Sequence, residues 1–181
     1  MRPIQFSVTM ERQAILPIWR GNPMLRNVML GLTAGAAGTV ALNIVTYLDM
    51  AVRGRPSSGV PAQIVDTAAK KAEISLTSED EDDDVLQARE SGIGALLGFV
   101  NGLGIGALYG MLRPLMAGVP QPLAGVGLGI AAMAGSDVPA TALGVTDPRE
   151  WTKDSWISDI VPHMAYGLVV ALVFDAYKDR R

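Results

Sequence analysis

Charged residues are absent from long stretches of this chain. Asn27 to Leu48, twenty-two residues, contains no Asp, Glu, Lys or Arg, and from Ser91 to Ser136, forty-six residues, Arg113 is the one charged side chain. A helix of about 20 apolar residues crosses a ~30 Å hydrocarbon core. The pattern predicts an all-α membrane protein, a four-helix transmembrane bundle over residues 27–175 with spans at about 27–48, 93–112, 115–136 and 156–174. Asp49, Arg53 and Arg55 stop the first span, and Arg55-Pro56-Ser57-Ser58-Gly59 breaks it. Arg113-Pro114 stops the second, and the few residues before the third predict a tight antiparallel hairpin. The third ends at Asp137-Val138-Pro139, read as a turn. The fourth contains Asp159 and His163 and closes on the apolar run from Tyr166 to Phe174.

The charges are gathered in the connections. Residues 1–26 form an extramembrane segment with Arg2, Arg12, Arg20 and Arg26 around the patch Ile15-Leu16-Pro17-Ile18-Trp19. Trp19 beside Arg20 suits a headgroup boundary, and a disordered tail is the alternative. The connection 49–90 holds a short surface helix from Pro61 to Ala72, with Ile64, Val65 and Ala68 on one face. The six consecutive acids from Glu79 to Asp84 follow, a self-repelling run that reads as a solvated spacer. A basic tail, 176–181, ends the chain. Trp151 and Trp156 sit where the fourth span meets the boundary. Four spans put both termini on one side. Lys and Arg are nearly equal in number on the two sides, but Arg20, Arg26, Arg113 and Lys178 lie closest to the spans, which places the termini in the cytoplasm.

Composition then removes several function classes. With no Cys there is no disulfide frame, thiolate metal site, iron–sulfur cluster or cysteine nucleophile. One His excludes a multi-His metal centre and bis-His haem ligation, so neither metal nor cofactor is expected. A net charge of −3 with scattered basic residues does not make the basic stripe of a nucleic-acid binder. The start lacks the apolar core of a signal peptide, so the first long apolar run reads as a retained helix.

Glycine is the strongest motif. Gly94, Gly98, Gly102, Gly106 and Gly110 recur at every fourth position of the second span, Gly31, Gly35 and Gly38 mark the first, and Gly125, Gly127 and Gly129 the third. In lipid little hydrophobic force acts between helices, so close backbone approach must hold them, and glycine permits it. The reading is close packing inside the bundle or between protomers, as a homo-oligomer or within a larger membrane complex; a pore or lipid groove is the alternative. Gly31/Gly125, Gly35/Gly129 and Asn43/Asp137 are each 94 residues apart, the pattern of a parallel repeat, with no matching relation between the second and fourth spans.

Asn43, Asn101, Asp137 and His163 form a second constellation. Placed at ~1.5 Å per residue, all four fall in one half of the bilayer, where ionisable groups face the bundle interior and mark proton or ion paths. Imidazole changes charge near neutral pH. Ser136 with His163 has the residue types of a nucleophile and base, but four short helices leave little room for an oxyanion hole and a water path.

The glycine-rich first span ending in Arg55-Pro56-Ser57, the Pro139 turn, and His163-Met164-Ala165-Tyr166-Gly167 opening the fourth span resemble the YagU-like small bacterial inner-membrane proteins. The likeness covers roughly residues 28–175; the six acids and the N-terminal segment depart from it. It implies a bacterial inner-membrane protein with a role in stress or acid tolerance, and brings no catalytic residues. The expected function is therefore non-enzymatic: an oligomeric or accessory subunit packed through glycine-rich helices in the lipid bilayer. The alternative is a small channel or transporter with a polar path around His163 and Asp137.

Overall fold

The computed structural model describes residues 22–78, 81–116 and 118–178. The patch around Trp19, Glu79 and Asp80 of the acidic run, and the last three residues lie outside the described residues. The described residues are helical, with no strand. Helix α1 spans Pro23–Arg53, α2 Val60–Lys71, α3 Asp83–Leu112, α4 Gln121–Ala142 and α5 Lys153–Lys178. Short 3-10 turns at Arg113–Met116 and Pro148–Glu150 join α3 to α4 and α4 to α5. Four of these helices, α1, α3 with its following turn, α4 and α5, are long and apolar enough to cross a membrane. That is the make-up of a multi-pass membrane protein.

Local chemistry sets the ends, and each long helix outruns or shifts from its uncharged stretch. The Asn22 side chain accepts from the amides of Met24 and Leu25 at 3.0 and 3.2 Å, and Pro23 fits the first turn, so α1 begins four residues before the predicted start. Gly54, at φ 66°, ends it. Helix α3 starts ten residues before its apolar run, because Asp83 and Asp84 in its first turn complement the helix dipole. Two acids of the predicted spacer are thus helical. Helix α4 is displaced along the chain from 115–136 to 121–142, because Arg113–Met116 coils more tightly and Pro120 leads into the helix. Pro139 is not a turn but lies inside α4. Helix interiors at membrane depth tolerate proline where local groups re-satisfy the backbone, and the stop comes later, at Gly144 with φ 76°. The surface helix is present, with Val65 buried and Ile64 half-buried as expected, but Ala68 is exposed.

Asn27 lies against Gly110, and Arg113 pairs with Asp175, so the start of α1 and the ends of α3 and α5 share one end of the bundle, the first end. The opposite, second end carries α2. In cross-section the helices follow the order α3, α1, α5, α4. The second and third spans therefore do not form a tight hairpin. They meet near Asn101 and diverge towards the first end around an apolar cleft of about 600 Å³, lined by Ile105, Leu108, Leu112, Leu123, Gly127 and Ile130, with Tyr109 and Leu128 on its floor.

The α1–α3 and α4–α5 contacts are built alike. A Cβ on Gly31 would meet the Gly106 carbonyl and Ala107 Cα; one on Gly125 would meet the Gly167 carbonyl and Leu168 Cα. A Cβ on Gly35 would meet the Gly102 carbonyl and Leu103 Cα; one on Gly129 would meet the His163 carbonyl and Met164 Cα. Adding 94 to an α1 number gives its α4 equivalent, and adding 61 to an α3 number gives its α5 equivalent. The chain is thus two similar helix pairs in parallel.

The same correspondence explains the cleft. Where α1 meets α5, it offers Ala34 and Gly38, and a Cβ on Gly38 would strike Tyr166 and Val170. The equivalent α4–α3 surface carries Leu128 and Ala132 opposite Ile105 and Tyr109. Bulkier side chains in the same geometry hold the helices apart.

Candidate functional site

Among the predicted packing glycines, Gly31, Gly35, Gly102, Gly106 and Gly110 lie between α1 and α3, Gly125 and Gly129 lie between α4 and α5, and Gly94 lies against Pro61 of α2. Gly98 faces open space. At Gly106 an added Cβ would press on the Gly31 carbonyl and within 2.7 Å of Gly35 Cα. These glycines are spent on contacts within the chain.

The polar residues gather near the second end on α3, α4 and α5. His163 stands one turn after Asp159 on α5, and its Nδ1 lies 2.8 Å from the Asp159 carbonyl oxygen and 3.3 Å from its carboxylate. Both neighbours are acceptors, so Nδ1 carries a hydrogen and donates to the carbonyl, which leaves Nε2 to gain or lose a proton. From α4, Asp137 comes within electrostatic reach of Asp159 and His163. Ser136 donates to the Met133 carbonyl at 2.9 Å and stands beside Asp137 at 3.3 Å. Its hydroxyl is directed along its own helix rather than at His163, so the two are not assembled as a nucleophile and base. Asn101 of α3 donates to the Ala132 carbonyl at 2.9 Å, in space left by Gly135, where a Cβ would collide with the amide.

Asn43 stands apart from this group. It is half-buried on α1, and since Gly38 faces Tyr166 while Asp49 faces Ser158, it is level with His163. It is the α1 equivalent of Asp137, whereas Gly98 and Gly102 occupy the places of Asp159 and His163. The acid and imidazole chemistry therefore belongs to the second helix pair alone. Asp159 is the member that sequence reasoning passed over: a charge near a span start reads as a boundary, and only its position one turn before the sole His pointed elsewhere.

At the second end an open depression of about 370 Å³ on α4 is lined by Asp137, Val138, Thr141, Ala142 and Pro148, and of the polar group it touches Asp137 alone. Towards the first end the way is filled: the Tyr166 hydroxyl donates to the Gly102 carbonyl at 2.6 Å, and Val170, Phe174 and Tyr109 are packed beyond it, the last two edge-to-face at 5.1 Å. Arg113, the lone charge of its stretch, ends this plug, paired with Asp175 at 3.1 Å and donating to the Met116 carbonyl at 2.7 Å.

At the second end Asp49 accepts from Arg53 at 2.6 Å and from Ser158 at 3.3 Å, and Arg53 also bonds Ser158, so α1 and α5 are tied one residue from Asp159. Arg89 ties the acidic connection to α3 by donating to the Leu76 carbonyl and to Glu81, each at 2.7 Å. That guanidinium holds the Glu81 carboxyl down at about 2. Among the described residues no group of three or more His, Cys, Asp or Glu is placed to hold a metal ion.

No family model, no curated protein and no solved structure matches the chain.

Proposed function

We propose that this chain is a small proton-linked channel or transporter, built from two parallel helix pairs and carrying its ion-handling groups on the second pair. The observation that carries the reading is the grouping of Asp137, Asp159 and His163 from α4 and α5, with Asn101 of α3 bonded to the same α4 helix and an open depression reaching Asp137. Ionisable groups at membrane depth are costly and persist where they serve a path or a proton relay. Parallel repeats of this kind occur among transporters, with the site near the repeat interface. The glycines have the complementary role of bringing the chain's own helices together in lipid. In this state the Tyr166 plug closes the path below His163, so conduction requires α5 to move, and Pro162 and Gly167 flank the segment that would bend. The reading has the first end, where α1 begins and α5 ends, facing the cytoplasm, and a role in acid tolerance, as the YagU-like resemblance implies, suits such a site.

The test is flux. Purified protein in liposomes should dissipate an imposed pH gradient, and His163→Ala should slow it. No flux over a range of ions and pH values would remove the reading.

An accessory subunit is the second reading, favoured by the apolar cleft between α3 and α4, whose lining is of the kind that partner side chains cover. Mild extraction followed by mass spectrometry separates the two: stoichiometric foreign subunits support the accessory role, and a lone species supports the transporter.

A further inference from the structure

Helix α1 turns Gly31, Gly35, Gly38 and Thr39 towards α3 and α5 and keeps another face clear of them. On that face Thr33, Ala36, Val40 and Tyr47 are exposed, and Asn43 and Met50 are half-buried. Positions 33, 36, 40, 43, 47 and 50 alternate steps of three and four, so they form one stripe along the helix. Two helices with such stripes pack in membranes at a shallow left-handed crossing. The polar members of the stripe differ in how they are met. Thr33 spends its hydroxyl on the Met29 carbonyl of its own helix at 3.0 Å, and Tyr47, two residues from Asp49, lies at the boundary where headgroups receive a phenol. Asn43 stands six residues before Asp49, about 9 Å inside that boundary at ~1.5 Å per residue. Among the described residues none is hydrogen-bonded to its side chain. Hydrocarbon offers no water to an amide, so a group at this depth is met across helices or left unmet at a cost.

We propose that α1 pairs with α1 of a second copy of this chain, the Asn43 amide of each donating to the Asn43 side-chain oxygen of the other. Copies inserted in one membrane share an orientation, so their α1 helices run parallel and position 43 meets position 43 at equal depth. An amide is donor and acceptor at once, so a two-fold pair satisfies both copies with one residue type. A foreign helix would need a polar group at that same depth, which a second copy carries by construction. Gly31, Gly35 and Gly106, small residues that could have drawn another chain close, are already engaged within this one, so association falls to the stripe. Asp137, Asp159 and His163 lie on α4 and α5. Each copy therefore keeps its own polar group, and the pairing holds whether or not the chain conducts protons.

The experiment combines cross-linking and association of the full chain. It has no cysteine, so Val40→Cys and Tyr47→Cys each place a single thiol on the stripe. In the membrane into which the chain is inserted, oxidation with copper phenanthroline should join two copies through either thiol. Leu172→Cys, exposed on α5, should give no such product. Energy transfer between donor- and acceptor-labelled copies in liposomes should report a dimer. Asn43→Leu should weaken it about tenfold, and Asn43→Gln, which keeps the amide, should hold it near the unmodified level. A monomer at every protein-to-lipid ratio overturns the proposal. A dimer linked through Leu172→Cys and not through positions 40 and 47 also overturns it, as does one that Asn43→Leu leaves equally tight. Cross-linking of position 40 to a different protein overturns it in favour of a foreign partner. If Asn43→Leu misfolds, the pattern of the three thiols in the otherwise unmodified chain still decides.

Discussion

Gly106 and Gly167 occupy the same position in two copies of one helix contact. Gly106 sits over the Gly31 carbonyl and Gly35, and Gly167 sits over the Gly125 carbonyl and Gly129. The two glycines lie on different helix pairs, so the half-chain repeat extends beyond the 94-residue echo between the first and third spans.

Substitution should separate these glycines from their neighbours. Gly106→Ala and Gly167→Ala drive a methyl into a facing backbone that cannot yield as a side chain does, and each should cost about 1–3 kcal/mol. Gly98→Ala and Gly127→Ala place theirs in open space and should leave stability unchanged or raised by about 0.5–1 kcal/mol. Unfolding in mixed detergent, followed by circular dichroism, measures both.

The cleft should narrow when its bulk is removed. Leu128→Ala with Ala132→Gly gives α4 the surface that α1 presents to α5. The chain has no cysteine, so a pair introduced by Leu108→Cys and Ile130→Cys reports on the cleft alone. Cross-linking by a short reagent should be faster in the background of the double substitution than without it.

Arg113 should depend on Asp175. The arginine side chain is 10% exposed and its partner 21%, so Asp175→Asn leaves a largely desolvated cation and should cost about 3 kcal/mol. Replacing both by Leu should recover most of that loss, as denaturant unfolding of the single and double variants would reveal.

The acidic connection should loosen in acid. The folded carboxyl of Glu81 is held at about 2, below its ordinary 4.5, so the clasp on Arg89 is complete above pH 4.5 and lost as the pH falls through about 2. A spin label introduced through Ile74→Cys should gain mobility over that interval. Glu81→Gln should show the mobile spectrum already at neutral pH.

The four spans were legible because a charge cannot remain in hydrocarbon, so gaps between charges mark helices. Their ends were not, because caps and dipoles act outside the gap: Asn22 and Asp83 lengthen helices into polar sequence, and Pro139 looks like a stop yet sits inside α4. Glycine spacing marked close approach without telling which helix receives it, and the tight hairpin expected between the second and third spans gave way to a cleft because Leu128 stands where α1 has Ala34. Asp137 and His163 were visible as intramembrane ionisable groups. Asp159 was not, since what sets it apart is its pairing with His163 one turn on and its electrostatic reach to Asp137 on another helix.

Proton flux is the measurement that tests the account most directly. With protein in liposomes under an imposed pH gradient and a membrane potential clamped by valinomycin, unmodified protein should collapse the gradient. Asp159→Asn and His163→Ala should slow it at least about tenfold, a barrier change of about 1.4 kcal/mol, and Asn43→Ala should change it little. Equal rates in protein-containing and empty liposomes, or rates unaffected by Asp159→Asn and His163→Ala, would contradict the account.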